Sequence, residues 1–248
     1  SGCKTVFDIA PSYISKESAF AGFPLCYDKK KGKKKKDAYV WKMPALTGDK
    51  DFDDYLNLCD SLNSKIENYK EDIFPILLGG DHSVAVASAL ASAKKYTDIG
   101  IIWIDAHGDF NTFDTTVTGN IHGLPLAAIT GYKNHELRYF HDGNVINTQN
   151  AVIVGARSLD PAEKDNLRYA GVTVFTTEDI KARGVESIMN EAFEIAGERT
   201  KGIHVSFDLD VIEPTIAPGV SVPEYDGINL EEAMAINKYI STHIDKVV

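Results

Sequence analysis

Several short runs in the chain stay apolar where a half-wet strand would alternate with polar residues. IGIIWIDA (99–106), AVIVGA (151–156), VTVF (172–175) and GIHVSFDLD (202–210) are of this kind, and IFPILLGG (73–80) ends in glycines. Strands of this character are covered on both faces, the situation of a parallel sheet. Helical candidates lie between them: an Ala-rich stretch at 83–96, then Pro161 to Tyr169, Val185 to Ala196 and Leu230 to Ile240. Pro161 stands early in its helix, where a missing N–H costs little. Strands alternating with helices predict an α/β fold, three layers α/β/α around a central, mostly parallel sheet. One domain over 1–248 is expected, with a polar, lysine-rich first 70 residues. That region carries one helical candidate, Asp51 to Tyr69.

In an open parallel sheet, ligands bind at the carboxyl ends of the strands. Three of the predicted strand ends carry acids and histidines: Gly79-Gly80-Asp81-His82-Ser83, Asp105-Ala106-His107-Gly108-Asp109 and Ser206-Phe207-Asp208-Leu209-Asp210. In extended chain, side chains alternate with period two. Asp105, His107 and Asp109 are therefore expected to point one way, and so are Asp208 and Asp210. With His82 this gathers four carboxylates and two imidazoles at one edge, leaving Asp81 aside. Unpaired carboxylates so placed repel one another and shift each other's pKa. Cations resolve the conflict. Oxygen-rich ligands with some imidazole suit Mn²⁺ better than a thiolate-preferring metal, although such a set binds several divalent ions. Six ligands around two ions leave room for a shared water, whose pKa a two-metal centre lowers.

The remaining composition excludes more than it suggests. Net charge is −10, which disfavours nucleic acid and anionic membranes as partners. Lys29-Lys30-Lys31-Gly32-Lys33-Lys34-Lys35-Lys36 runs against that balance and reads as a solvated loop. No apolar run reaches transmembrane length. The N-terminus has neither an apolar stretch of signal-peptide length nor an initiator Met, as in a processed or trimmed chain. Cys3, Cys26 and Cys59 form no CxxC pair and no disulfide framework, so a reducing, cytoplasmic setting is expected.

GGDHS, DAHGDFNT and SFDLD together resemble the ureohydrolase family of arginase, agmatinase and formimidoylglutamase. The resemblance runs from about Ile73 to Val248, and DAHGDFNTFDTTVTGNIHGLP (105–125) and GARSLDPAEKD (155–165) are most similar to the arginases. It implies two Mn²⁺ ions per subunit and hydrolysis of L-arginine to L-ornithine and urea. By motif position His82, Asp105, Asp109 and Asp208 would hold one ion. Asp105, His107, Asp208 and Asp210 would hold the other, with Asp105 and Asp208 bridging. Asp109 matches the acid that handles protons beside the attacking water, and His122 matches the proton-shuttling histidine. Asn111, Thr118 and Asn120 match groups that hold the substrate carboxylate, and Asp160 matches the acid that senses the α-amino group. The resemblance further implies a homo-trimer or homo-hexamer.

The chain departs from the family pattern in places. Val211-Ile212-Glu213-Pro214 stands where Gly-Leu-Asp-Pro is usual, and Ser221-Val222-Pro223 replaces the arginase Gly-Thr-Pro. APGVSVP (217–223) leans towards the formimidoylglutamases. The family's guanidinium-binding Glu is expected on a strand beyond Val248, and the usual Gly-Pro-x-x-Ile-Arg element does not follow Ala21-Gly22-Phe23-Pro24-Leu25. Two alternatives follow: a ureohydrolase for another guanidino or formimino compound, and an inactive relative that binds without turnover. His204, on an apolar strand, is expected to be structural. His135, His141 and His243 are expected at the surface.

Overall fold

The computed structural model describes residues 7–9, 76–134 and 144–248. The helical candidate Asp51–Tyr69, the Lys29–Lys36 run, the three cysteines, His135 and His141 lie outside the described residues. The chain divides into two compact units, Ser1–Ala91 and Ser92–Val248.

In the first unit, β1 (Phe7–Ile9) and β2 (Ile76–Leu78) pair in parallel, with Phe7 opposite Ile76. A turn then leads into α1 (Val84–Tyr96), which begins in the first unit and ends in the second. Its sequence, VAVASALASAKKY, is rich in the residue that loses least on entering a helix. Lys94 and Lys95 in its last turn complement the helix dipole. Thr97 and Asp98 follow with φ of 51° and 39° and end it.

The second unit holds a four-stranded sheet of β3 (Gly100–Ile104), β4 (Ala151–Ala156), β5 (Thr173–Thr176) and β6 (Ile203–Phe207), all parallel, in the order β5-β4-β3-β6. The expected central parallel sheet flanked by helices is therefore present. Every residue of β3 and β4 is buried, as unbroken apolar runs require. Ile102, Ile104, Val152 and Val154 share one apolar core with Ile180 of α4 (Thr177–Arg183), Met189 and Phe193 of α5 (Val185–Gly197) and Ile236 of α6 (Leu230–Thr242). Two further helices are α2 (Pro125–Ile129) and α3 (Pro161–Ala170), and Pro opens both.

The chain runs from β3 out to β4 and β5, then returns to place β6 on the other side of β3. Strand order thus reverses between β3 and β6, and a crevice opens at the carboxyl ends of such a pair. The sequence expectation extended both strands through their acids, but β3 stops at Ile104 and β6 at Phe207. Helix α4 was not separable by periodicity because it spans only seven residues. Its mark is a capping box: Thr176 accepts from the Asp179 N–H, and the Thr176 N–H and hydroxyl donate to the Asp179 carboxylate. The donated bonds hold that carboxyl below its ordinary range.

His204 sits within β6, buried, with Nδ1 3.1 Å from the Ser92 hydroxyl of α1. Burial pushes its pKa down to about 4. The unfolded chain, with an ordinary imidazole near ~6.5, then binds the proton more readily than the fold does. Stability from this group is complete above pH ~6.5 and falls as pH drops towards 4, by about 3 kcal/mol in all. In denaturant unfolding of chelator-treated protein, the wild type should lose about that much relative to His204→Gln between pH 7 and pH 4. A pH-independent gap between the two would show that the imidazole binds its proton in the fold as readily as in the unfolded chain.

Candidate metal centre

The carboxyl ends of β3, β4 and β6 are laced together through their backbones. The Asp105 N–H donates to the Val154 carbonyl (3.1 Å) and the Asp208 N–H to that of Ile104 (2.8 Å). Arg157 and Ser158 both donate N–H bonds to the Ala106 carbonyl, at 2.9 and 3.0 Å. The two-residue alternation expected to align Asp105, His107 and Asp109 does not persist, because the chain bends as soon as the acids begin. Asp105 accepts from the His107 N–H at 2.7 Å, and Asp208 accepts from the Asp210 N–H at 3.0 Å. A carboxylate that bonds the amide two residues ahead pulls the backbone out of extended conformation. Asp208 thereby caps a short 3₁₀ turn, Leu209–Val211, and Asp109 has a left-handed φ of 47°.

These bends still bring three predicted ligands together. His107 Nδ1 lies 3.0 Å from Asp210 Oδ2 and 3.3 Å from Asp105 Oδ1. One ligand atom from each lies within 4.8 Å of the others. Both carboxylates are buried. The Trp103 indole N–H donates to Asp105 (3.0 Å) and the Ala106 N–H to Asp210 (3.2 Å). Burial disfavours the imidazolium, yet the hydrogen bonds and charges of Asp105 and Asp210 outweigh it and push His107 up to about 11. Burial pushes Asp210 up to about 6, with the charges of Asp105 and Asp208 adding and His107 opposing. A proton held between two buried carboxylates marks a position that a divalent cation can take. Oxygen donors with one imidazole fit a hard cation of the Mn²⁺ class. Asp208 is half-buried at its cap. His82 stands in the first unit, half-buried in the turn after β2, where Asp81 accepts from the Ser83 N–H (2.9 Å).

The predicted substrate residues are placed as follows. The Asn111 side-chain amide donates to Asp160 Oδ2 at 3.0 Å, so two of the four meet. Thr118 and Asn120 are exposed on one turn, with the Asn120 N–H donating to the Thr118 hydroxyl (3.2 Å). His122 is half-buried in the 3₁₀ turn Ile121–Gly123. Asp109 is buried, and its carbonyl accepts from Leu126 N–H (2.9 Å) at the start of α2.

Several residues at this edge escaped the sequence reading. Arg157 spreads its guanidinium over five backbone carbonyls: Gly155, Asp210, Val211, Glu224 and Tyr225. Burial lowers its pKa, opposed by the charges of Asp210, Glu224, Glu213 and Asp105. Glu224 accepts from the Ser158 hydroxyl at 3.0 Å. Buried Glu163 accepts from the N–H groups of Phe110 (2.8 Å) and Asp160 (3.2 Å). Its own burial pushes it up to about 7, although those two bonds favour the charged form. Gly108 packs on that carboxylate: a Cβ there would stand 2.8 Å from Glu163 Oε1. A cation immediately after a buried apolar strand was the available signal for Arg157.

The family model described as the arginase family matches residues 4–248. Among curated proteins, an arginase of Brevibacillus brevis is 40% identical over 184 residues, 72% of this chain and 62% of the relative. An arginase of Bacillus subtilis is 40% identical over 178 residues, 71% of this chain and 58% of the relative. The chain thus spans less than two thirds of the length of these relatives. Among solved structures, native arginase from Bacillus caldovelox superposes with a TM-score of 0.77 at 33% identity, over 84% of this chain and 72% of that one. Formimidoylglutamase from Bacillus subtilis gives a TM-score of 0.69 over 97% of this chain and 75% of that one. At 20% identity it shares the fold.

Asp210→Asn removes an anionic ligand while keeping the acceptor for the Ala106 N–H. It should lower Mn²⁺ affinity by about tenfold or more, measured calorimetrically on chelator-stripped protein. Equal affinity in wild type and variant would remove Asp210 from the ligand set.

Proposed function

The chain belongs to the arginase family, and from that premise we propose that it hydrolyses L-arginine to L-ornithine and urea with two Mn²⁺ ions per subunit. In this reading residues 1–248 act as one ureohydrolase domain in a cytoplasmic homo-trimer or homo-hexamer. Among the described residues, no helix is long and apolar enough to cross a membrane. The observation that carries the reading is the buried Asp105–His107–Asp210 cluster at the point where strand order reverses. By motif position Asp109, Asp208 and His82 complete the ligand set.

When bound, a pair of divalent cations lowers the pKa of a shared water to the neutral range. The protein's own groups do the rest. Asp109 takes a proton as the guanidinium carbon is attacked and returns one to the departing amine. His122 carries protons between the site and solvent, a task suited to an imidazole, which can both accept and donate a proton. Asn111, Thr118 and Asn120 hold the α-carboxylate, and Asp160 pairs with the α-ammonium. The Asn111–Asp160 hydrogen bond supports this assignment, since both ends of a zwitterion are read by neighbouring groups. Agmatine lacks the carboxylate and would forgo its bonds to those amide and hydroxyl groups, which favours arginine over it.

The test is urea release from L-arginine by Mn²⁺-loaded protein, alongside agmatine and formiminoglutamate. Arginine should be the substrate turned over, and Asp109→Asn should abolish turnover. Asn tolerates left-handed φ at least as well as Asp does, so that loss reports the carboxylate rather than the turn. Asn111→Ala should narrow the preference for arginine over agmatine by about tenfold or more, whereas Asp160→Ala, whose ammonium partner both compounds carry, should weaken turnover of both. Bound Mn²⁺ with no urea, but formamide from formiminoglutamate, would move the substrate assignment to the formimino class.

A further inference from the structure

We infer that Glu224 is a positioning residue for His107: it fixes the outer ring nitrogen so that the inner one is presented to a cation held at Asp105 and Asp210. The inference rests on the metal-centre reading above. The two nitrogens of this ring face different partners. Nδ1 lies 3.0 and 3.3 Å from Asp210 and Asp105. Nε2 lies 3.7 Å from Glu224 Oε1. A neutral imidazole that gives its Nδ1 lone pair to a cation carries its proton on Nε2, and that N–H needs an acceptor. Glu224 is the carboxylate the structure sets against it, outside the Asp105–His107–Asp210 cluster.

The acceptor is itself held from two sides. The Ser158 hydroxyl donates to the same oxygen, Oε1, at 3.0 Å. The backbone of the loop is pinned by Arg157, which donates to the carbonyls of Glu224 (2.8 Å) and Tyr225 (2.9 Å). Ser158 and Arg157 in turn both donate N–H bonds to the Ala106 carbonyl, next to His107. The carboxylate, its support and the imidazole therefore belong to one braced unit. The distance of 3.7 Å exceeds a hydrogen bond. A half-exposed glutamate side chain has the torsional freedom to close it.

The experiment compares Mn²⁺ affinity, by calorimetry on chelator-stripped protein, for the wild type and three variants. Glu224→Met keeps the bulk and loses the acceptor; it should bind Mn²⁺ about tenfold to a hundredfold more weakly. Glu224→Gln keeps an acceptor oxygen and should lose only a few-fold, lying between Met and wild type. Asp226→Asn removes one negative charge from the same exposed loop and should bind like the wild type. A filler of space would leave Gln and Met both like the wild type, and a source of long-range charge would weaken Gln, Met and Asp226→Asn alike. Met binding within twofold of wild type, or either of those two rankings, overturns the inference while leaving the metal centre intact. A wild type that takes up no Mn²⁺ overturns the metal centre and the inference together. Thermal melts of the four metal-free proteins should coincide, and a melt lowered in Glu224→Met alone would assign its lost affinity to folding and overturn the inference.

Discussion

Two buried carboxylates, Asp105 and Asp210, are held within reach of one imidazole, and the surrounding loops exist in forms that make this tolerable. Taking a carboxylate out of water costs several kcal/mol unless charge and hydrogen bonds offset it. Trp103, Ala106 and His107 supply N–H donors. Arg157 supplies positive charge by another route. Its side-chain bonds go to backbone carbonyls. It thus offsets the acids through space without occupying their oxygens, which stay available for a cation.

The sheet explains why these particular loops meet. β3 is central, with β4 on one side and β6 on the other. The segments that follow all three emerge at one edge. Gly155, near the end of β4, has φ of 97°, and a Cβ there would stand 2.4 Å from Val211 Cγ2. That close approach lets the turn after β6 lie over the end of β4, and Arg157 then reaches the carbonyls of Asp210 and Val211.

Much of this was legible in the chain itself. Unbroken apolar runs identified β3 and β4, and acids and histidines at the strand ends identified Asp105, His107 and Asp210. The route by which they converge was not legible. Period-two alternation requires extended backbone, and each acid cluster leaves it at once. Asp81–Ser83, Asp105–His107 and Asp208–Asp210 share one local device, a carboxylate accepting the N–H two residues on. That device is favoured by Asp in any turn, so its presence in sequence does not reveal where the turn will aim. Glu163 and Glu224 were invisible for a different reason: each acts on a loop far away in the chain. An acid three residues into a helix, as Glu163 is, reads as a capping residue, and only the fold shows that it also holds Phe110.

Glu163 has a consequence for how chemistry and recognition are joined. One of its oxygens holds the Phe110 N–H and the other the Asp160 N–H. Asp109 precedes the first donor, and Asn111, bonded to Asp160, follows it. The acid proposed to handle protons and the pair proposed to read the amino-acid end of the substrate are thus set by one buried carboxyl. Gly108 lies against that carboxyl, so a side chain there would displace Glu163 and disturb both segments at once. Changes of specificity in this region should therefore seldom be free of an effect on turnover. The variable part of the site is better sought at Ser221-Val222-Pro223, where the chain departs from the family pattern. Arg157 holds the loop that follows by its backbone, so these side chains can differ while Glu224 stays in place.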